Sequence, residues 1–472
     1  SSIDLSLPFL HFFDGFRTSH EINKIEVLDD DTVKSLLNKE ALKRFRKRAL
    51  NTPKVRGTAQ NDDIYFQATE ARNVFYDRVS DVVNEYMSKI NSVSGTDYKP
   101  FNYYGSDNAT KIIVAMGSVC NTIKEVIDNE NTDLGLVEVH LYRPFSVEYL
   151  KNVLPRSVKK IAVLDRTKEF GSIGEPLYLD VVCALNGMSV DIVGGRYGLS
   201  SKDTTPSQIK AVYDMLDNPI NNFTIGIDDD ITHLSLKESE YNLKNSKEIL
   251  IYGLGSDGMV SASKSLIKLV GDNTENYVQG YFEYDSKKSG GVTLSHLRIS
   301  DKKIRSSYYV KEPDILVISN DTYFSRFKLV ENLSNNSIIL INTTKTNSEL
   351  NKIIPTNLKK IIKDKNSKVY KIDANGIASS VGLNGKISTI MQMAIIKVTD
   401  LIDFSFAHEK IVEYIKDKFN KKGDNIVNAN LEAIKKVVTH IEEVKIDDED
   451  VLLQLKEGFI EKILQREGNS IP

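Results

Sequence analysis

The run Ile249-Leu-Ile-Tyr-Gly-Leu-Gly-Ser-Asp-Gly-Met-Val260 decides the fold class. Four apolar residues with no polar alternation read as a strand buried on both faces. Gly253, Gly255 and Gly258 then form a tight turn. From Met259 to residue 270 the apolar residues recur at helical spacing. Strand, glycine turn and helix in that order open an α/β unit with a parallel sheet. Working downstream, residues 277–284, 315–319, 337–342 and 369–373 read as further strands. A long helix follows over about 386–401. Working upstream, residues 110–220 show the same alternation. Strands are expected at 112–116, 136–141, 160–164 and 190–193. Helices are expected after Gly117-Ser118 and at 147–153, 175–185 and 207–216, the second of them capped by Ser146.

The outer segments differ. Residues 8–13 read as a buried strand ending in Asp14-Gly15. A helix is expected at about 31–50, with Val33, Leu36, Leu37, Leu42 and Phe45 on one face. Its last turns carry Lys43, Arg44, Arg46, Lys47 and Arg48, which suit the helix C-terminal dipole or a polyanion. Residues 56–65 read as a loop, 71–90 as a second helix and 92–96 as a linker. Residues 403–472 look helical and highly charged. The division expected is therefore 1–95, 100–235, 245–402 and 403–472. The fold class is α/β, with tandem parallel-sheet domains and a small helical connector. The chain opens on an apolar run with no element before it to pair with. It closes on a loop at 466–472. Both features lead us to expect an excised piece of something larger.

Composition removes several function classes. In 472 residues, Lys plus Arg is 62 and Asp plus Glu is 65, for a net charge of −3. So even a balance argues against a nucleic-acid or membrane-surface protein. No stretch approaches the ~18 apolar residues of a membrane span. No basic segment precedes the apolar start, so it does not read as a secretory signal. Two cysteines, Cys120 and Cys183, exclude a disulfide framework and suggest a reducing compartment, the cytoplasm, with a mitochondrion-related organelle left open. They also exclude an internal four-cysteine iron–sulfur site.

Two loops carry the candidate chemistry. Gly253, Gly255, Ser256, Asp257 and Gly258 place backbone N–H groups at a helix N-terminus, where phosphate binds. The dinucleotide fingerprint also wants an acid about 20 residues on, and Glu283 and Asp285 lie further out. A structural turn, NAD or FAD, and another phosphate ligand all remain open at this point. The second loop is Tyr284-Asp-Ser-Lys-Lys-Ser-Gly-Gly-Val-Thr293. Lys287 and Lys288 are point donors for phosphate, and Ser289, Gly290 and Gly291 let backbone approach closely. A surface turn is the alternative. Asn320, at the end of the strand at 315–319, is expected to face the same crevice. Seven histidines show no metal spacing, and no Gly-x-Ser-x-Gly elbow is present.

Nine segments in order resemble one family. They are Leu7-Pro-Phe-Leu-His-Phe-Phe-Asp-Gly-Phe-Arg-Thr-Ser-His-Glu21, Arg56-Gly-Thr-Ala-Gln-Asn61, Leu141-Tyr-Arg-Pro-Phe-Ser146, Ile161-Ala-Val-Leu-Asp-Arg-Thr-Lys-Glu169, Gly174-Glu-Pro-Leu-Tyr-Leu-Asp180, Val193-Gly-Gly-Arg-Tyr-Gly198, Thr232-His-Leu-Ser235 and the two loops above. Together they resemble the pyruvate:ferredoxin (flavodoxin) oxidoreductase family along essentially the whole chain. That resemblance implies oxidative decarboxylation of pyruvate to acetyl-CoA and CO2. It implies thiamine diphosphate, Mg2+ and [4Fe-4S] clusters in the full enzyme. Ferredoxin, flavodoxin or a fused flavoprotein passing electrons to NADP+ would be the acceptor, and the full-length enzyme would be a homodimer. The Asn/Lys-rich stretches 359–368 and 416–425 suit an AT-rich genome such as an anaerobic protist's.

The resemblance also assigns the pieces. Residues 1–95 are similar to the C-terminal half of a thiamine pyrimidine-type domain, and 100–235 to a transketolase C-terminal-like domain. Residues 245–402 are similar to a gamma-type, coenzyme A-associated domain, and 403–472 to the connector before a ferredoxin-like module. It implies no catalytic residue in this piece, which is expected to be inactive alone. Coenzyme A is the implied ligand of the two loops. The rivals are a related oxidoreductase acting on another 2-oxo acid and an NAD(P)-binding regulatory module.

Overall fold

The computed structural model describes residues 1–47, 59–130, 133–228, 231–241, 243–285, 291–451 and 458–465. The chain divides into two compact units. The first comprises Ser1–Thr18, Ile25–Leu243 and Arg305–Tyr308. The second comprises Ser19–Lys24, Lys244–Ile304 and Tyr309–Pro472. The first strand of the chain, β1 (Glu21–Asn23), belongs to the sheet of the second unit.

The first unit is built on β2 (Phe101–Gly105), β3 (Lys111–Ala115), β4 (Leu134–Val139), β5 (Lys160–Asp165), β6 (Asp191–Arg196) and β7 (Phe223–Thr224). Their order is β2-β4-β3-β5-β6-β7. β2 runs antiparallel to β4, and the other ladders are parallel. Ile112, Ile113, Val114 and Ala115 are all fully buried, because helices cover both faces of β3. Val119–Glu130 and Pro206–Met215 lie over one face, where Ile123, Val126, Ile209 and Val212 share a core. Val147–Val153 and Pro176–Ala184 supply Leu150, Leu177 and Val181 to the other. Each well-buried Leu, Ile or Val contributes roughly 1.5–3 kcal/mol. Local signals start these helices as expected. Ser146 accepts from Tyr149 N, and Thr205 with Gln208 forms a capping box ahead of Pro206.

Residues 1–95 depart from the sequence reading. No strand forms at 8–13: Phe9, Leu10, Phe12 and Phe13 are exposed and carry no ladder. An apolar run becomes a strand only where a neighbouring strand takes its backbone groups. The expected helix at 31–50 is two short helices, Asp30–Ser35 and Lys39–Arg46. Asn38 interrupts it, because its side chain accepts from Ala41 N and starts a new helix. Residues 48–50 lie outside the described residues, as do 56–58 of the expected loop. The remainder of that loop enters the helix Asp62–Glu70. The expected second helix at 71–90 is two helices, a short Asn73–Tyr76 and then Val79–Ser94, which runs into the expected linker and ends in a left-handed Gly95.

The second unit carries the order β1-β9-β10-β8-β11-β12-β13-β14. Its members after β1 are β8 (Lys247–Leu254), β9 (Tyr277–Tyr284), β10 (Val292–Ser300), β11 (Ile315–Ile318), β12 (Ile338–Asn342), β13 (Lys368–Ile372) and β14 (Glu442–Val444). β8, β11, β12 and β13 form a parallel core. The hairpin β9–β10, with β1, extends it antiparallel on one side, and β14 does so on the other. The helices Met259–Asn273 and Ser388–Val398 bury Leu266, Val270, Ile390 and Met393 against one face. The helices Phe404–Phe419 and Asp424–His440 add Ile411, Ile415, Ile434 and Val437 to the same cluster. Among the described residues, no helix is long and apolar enough to cross a membrane.

Candidate functional site

In the second unit β8, β9 and β11 all point the same way, so their carboxyl ends share one sheet edge. From β8 the chain moves to β9 and β10 on one side and returns to β11 on the other. The ends of β8 and β11 therefore flank the switch point where open α/β sheets bind ligands. The glycine run after β8 and the Ser319-Asn320 end of β11 meet there.

Asp257 organises the loop from within. Its Oδ2 accepts from Leu254 N at 2.7 Å and from Ser319 Oγ at 2.9 Å, and its Oδ1 accepts from Met259 N at 2.7 Å. One carboxylate thus closes the turn, caps the helix Met259–Asn273 and ties β8 to β11. Burial raises its pKa, and the two N–H donors and the Ser319 hydroxyl oppose that rise. Tyr323 donates to Gly253 O at 2.9 Å. Burial, with the Asp257 charge adding to it, pushes the Tyr323 phenol up to about 12. Ser256 takes a left-handed φ of +78° and Gly258 one of +89°. Among the described residues, the N–H groups of Ser256 and Gly258 stay outside the loop's own hydrogen bonds. The site thus offers backbone donors at a helix N-terminus with its positive dipole end.

The second loop is described in part. Gly291 is buried, and its carbonyl accepts from Gly255 N at 2.7 Å, joining the two loops directly. Lys287, Lys288, Ser289 and Gly290 lie outside the described residues. Asn320 sits at the shared edge, where its Oδ1 caps a short 3-10 turn by accepting from Thr322 N and Oγ1. Glu283 pairs with His296 Nε2 at 2.7 Å, so it is engaged within the sheet. The sequence reading did not select Thr293. It pairs in register with Gly253, and among the described residues its buried Oγ1 has no hydrogen-bond partner. Its only sequence signal is its place two residues beyond Gly291, on the strand that leaves the loop.

Close packing explains Gly253. A Cβ there would lie 2.6 Å from Thr293 Oγ1 and 2.8 Å from Met259 Cβ. Gly253→Ala is expected to cost roughly 1–2 kcal/mol by overpacking and to push the β10 end of the second loop outward. Thermal unfolding, with hydrogen exchange at residues 253–259 and 291–294, checks this. Unchanged stability and exchange would count against the tight contact.

A phosphate ligand fits these donors. An iron–sulfur cluster does not fit this chain's thiols. Cys120 is buried and burial drives its thiol pKa well up, away from a thiolate, while Cys183 is exposed on a different helix. Among the described residues no group of three or more His, Cys, Asp or Glu gathers as a metal site.

Three family models match successive parts of the chain. "Pyruvate flavodoxin/ferredoxin oxidoreductase, thiamine diP-bdg" matches residues 1–88, "Pyruvate:ferredoxin oxidoreductase core domain II" 109–209, and "Pyruvate ferredoxin/flavodoxin oxidoreductase" 248–439. A pyruvate:ferredoxin oxidoreductase from Moorella thermoacetica is 43% identical over 98% of this chain. The chain belongs to the pyruvate:ferredoxin/flavodoxin oxidoreductase family. Within that family it is also 40% identical, over 95% of its length, to a pyruvate dehydrogenase [NADP(+)] from Cryptosporidium parvum. The chain spans 41% of the Moorella protein and 24% of the Cryptosporidium one. A solved pyruvate oxidoreductase subunit from Thermotoga maritima is 26% identical. Its whole length is covered by 43% of this chain, at a TM-score of 0.35.

Proposed function

We propose that this chain is the central, cluster-free part of an enzyme that oxidatively decarboxylates pyruvate. The products are acetyl-CoA and CO2, and electrons pass to ferredoxin, flavodoxin or NADP+. The observation that carries this reading is 43% identity to the Moorella enzyme along 98% of the chain. Thiamine diphosphate, Mg2+ and [4Fe-4S] clusters would serve the whole enzyme, with clusters held elsewhere than by Cys120 and Cys183. In this reading residues 1–95 belong to the thiamine-binding domain, 100–235 to the second core domain, 245–402 to the coenzyme A-associated domain and 403–472 to a connector. Catalysis then needs the rest of a homodimeric enzyme, and the chain alone turns nothing over.

The second unit takes the coenzyme A role in this proposal. Gly253, Gly255, Ser256 and Gly258 present backbone to a phosphate group. Asp257 acts as a positioning residue, since its carboxylate is already committed to Leu254 N, Met259 N and Ser319. Thr293 Oγ1 is a buried hydroxyl available beside them. Gly290 and Gly291 let the second loop approach, Asn320 borders the crevice, and Lys287 and Lys288, with Ser289, supply charge to the 3′-phosphate. The engagement of Glu283 with His296 takes up one of the two acids that could serve a dinucleotide's ribose, and both Glu283 and Asp285 lie further along than the dinucleotide fingerprint wants.

Calorimetry with coenzyme A, dephospho-coenzyme A and NADPH tests the assignment. Lys287→Ala/Lys288→Ala is expected to weaken coenzyme A about 10- to 100-fold, the worth of one or two charge-assisted contacts. Dephospho-coenzyme A should be nearly insensitive. Coenzyme A affinity unmoved by the double substitution sinks the role of this loop. Binding of NADPH without coenzyme A sinks the ligand class.

A further inference from the structure

Register places three unlike residues in one row at the carboxyl edge of the second unit. Thr293 on β10 pairs with Gly253 on β8 and with Tyr284 on β9. Directly opposed residues share a face of the sheet. One step further in, the same face carries Ile251, Ser295 and Phe282. Phe282 is 2% exposed and shares a core with Met259 and Leu266 of the helix Met259–Asn273. Tyr284, two residues on, is 49% exposed. The apolar cover of this face therefore ends between them, and the row Gly253–Thr293–Tyr284 lies at its mouth.

Each member of the row has something the sheet does not use. Thr293 is 7% exposed, and among the described residues its Oγ1 has no hydrogen-bond partner. That hydroxyl stands 2.6 Å from the position a Cβ of Gly253 would take, and Met259 Cβ is 2.8 Å from the same point. Thr293 Oγ1 is thus aimed at the first turn of the helix, into room that only a glycine at 253 leaves. A buried hydroxyl left unpaired carries a desolvation cost, which a ligand's acceptor would remove. Tyr284 offers a ring. His20, which precedes β1, meets that ring at 5.8 Å between centroids and 87° between planes, bracing it in an edge contact. An exposed ring beside phosphate-binding backbone is a platform for a heteroaromatic base. The row spans two strand spacings, about 10 Å, the reach of a nucleoside from its phosphate to its base.

We propose that this row is a nucleoside ledge: Thr293 Oγ1 donates to the phosphate held at the glycine loop, and Tyr284 stacks the adenine base. The proposal rests on the coenzyme A reading of this unit. It adds the residues that select a nucleoside from other phosphate esters.

The whole chain is titrated with coenzyme A, adenosine 3′,5′-bisphosphate and 4′-phosphopantetheine, the last carrying phosphate without a nucleoside. Tyr284→Ala should weaken the first two about 5- to 100-fold, the worth of one base stacked on one ring, and leave 4′-phosphopantetheine unchanged. Tyr284→Phe keeps the ring and should bind as wild type does. Stacking should also lower the adenine absorbance on binding. Tyr284→Ala should abolish that hypochromism, which a merely structural tyrosine would not govern. Thr293→Val keeps the shape and should weaken all three ligands roughly tenfold. Its urea midpoint should be no lower than that of wild type, because an unpaired buried hydroxyl has been removed. A lower midpoint would make the hydroxyl structural and overturn its role. Coenzyme A bound equally by wild type and Tyr284→Ala overturns the proposal and leaves the coenzyme A reading standing. Wild type that binds no coenzyme A overturns both.

Discussion

Glu248→Ala is expected to destabilise the second unit by about 3–5 kcal/mol, the cost of breaking a buried ion pair by removing one partner. Ladder register sets the reason. Arg298 on β10 faces Glu248 on β8 and Gln279 on β9, so three polar side chains line up in one row across the sheet. Arg298 Nε donates to Glu248 Oε1 at 2.7 Å, and Nη1 donates to Gln279 Oε1 at 3.2 Å. Arg298 is 1% exposed. Removing Glu248 takes away the carboxylate that accepts from Nε, in a place water does not reach. Glu248→Gln keeps an acceptor and the shape, so its cost should be markedly smaller. Glu248→Met combined with Arg298→Met should recover part of the loss, since an apolar pair carries no desolvation penalty. Hydrogen exchange across β8 and β10, with urea unfolding of the three variants, ranks them. A loss below about 1 kcal/mol for Glu248→Ala would mean that Arg298 is effectively solvated, as in an exposed pair. The row stands at the open end of the β9–β10 hairpin, whose other end leads into the candidate ligand loop. On the proposed coenzyme A role of that loop, loosening the row should also weaken coenzyme A binding without touching a ligand-facing residue.

The same row shows why part of the fold escaped the sequence. The residues of β8 read as a strand because Ile249, Leu250, Ile251 and Tyr252 form an unbroken apolar run, and β9 was legible to its observed bounds, 277–284. β10 is buried along its whole length yet carries Ser295, His296 and Arg298. Those residues resemble a polar loop until their partners are known. The partners, Glu248 and Glu283, come from other strands, and no local pattern announces them. The opposite error arose at residues 8–13, where an apolar run met no strand. Composition along one segment reports what it could bury; the ladder depends on what else arrives. The candidate site divides in the same way. Glycines at 253, 255 and 258 announce a turn between strand and helix, and the turn stands where expected. That Asp257 faces inward and that Asn320 caps its own turn are facts of three dimensions. Thr293 becomes notable only because its hydroxyl lies buried against Gly253 with no partner among the described residues.

Asp165 should make the stability of the first unit fall as pH rises from about 4 to 6. It ends β5 and accepts from Leu177 N at 2.9 Å and Tyr178 N at 3.0 Å, fastening the helix Pro176–Ala184 to the sheet. Burial pushes its pKa from 3.8 up to about 6, with the carboxylates of Glu175 and Asp180 adding to the rise and the two N–H groups opposing it. The folded state thus holds this proton more tightly than the unfolded chain does. Below about pH 4 both states are protonated and the full contribution is present. As pH climbs through 6 the folded state must ionise a buried acid, and the contribution is lost. A shift of about two units corresponds to roughly 3 kcal/mol. Asp165→Asn removes the titration while keeping an acceptor for one of the two N–H groups. Relative to that variant, wild type should lose about 3 kcal/mol between pH 4 and pH 8, read as the difference in urea midpoints or in the protection of Ile161–Leu164. Other carboxylates titrate in the same range, but they do so in both proteins and cancel in the difference. A difference that stays flat would show Asp165 ionised throughout, with the two N–H bonds outweighing burial. A difference that rises with pH would reverse the sign and make Asp165 a conventional ionised helix cap.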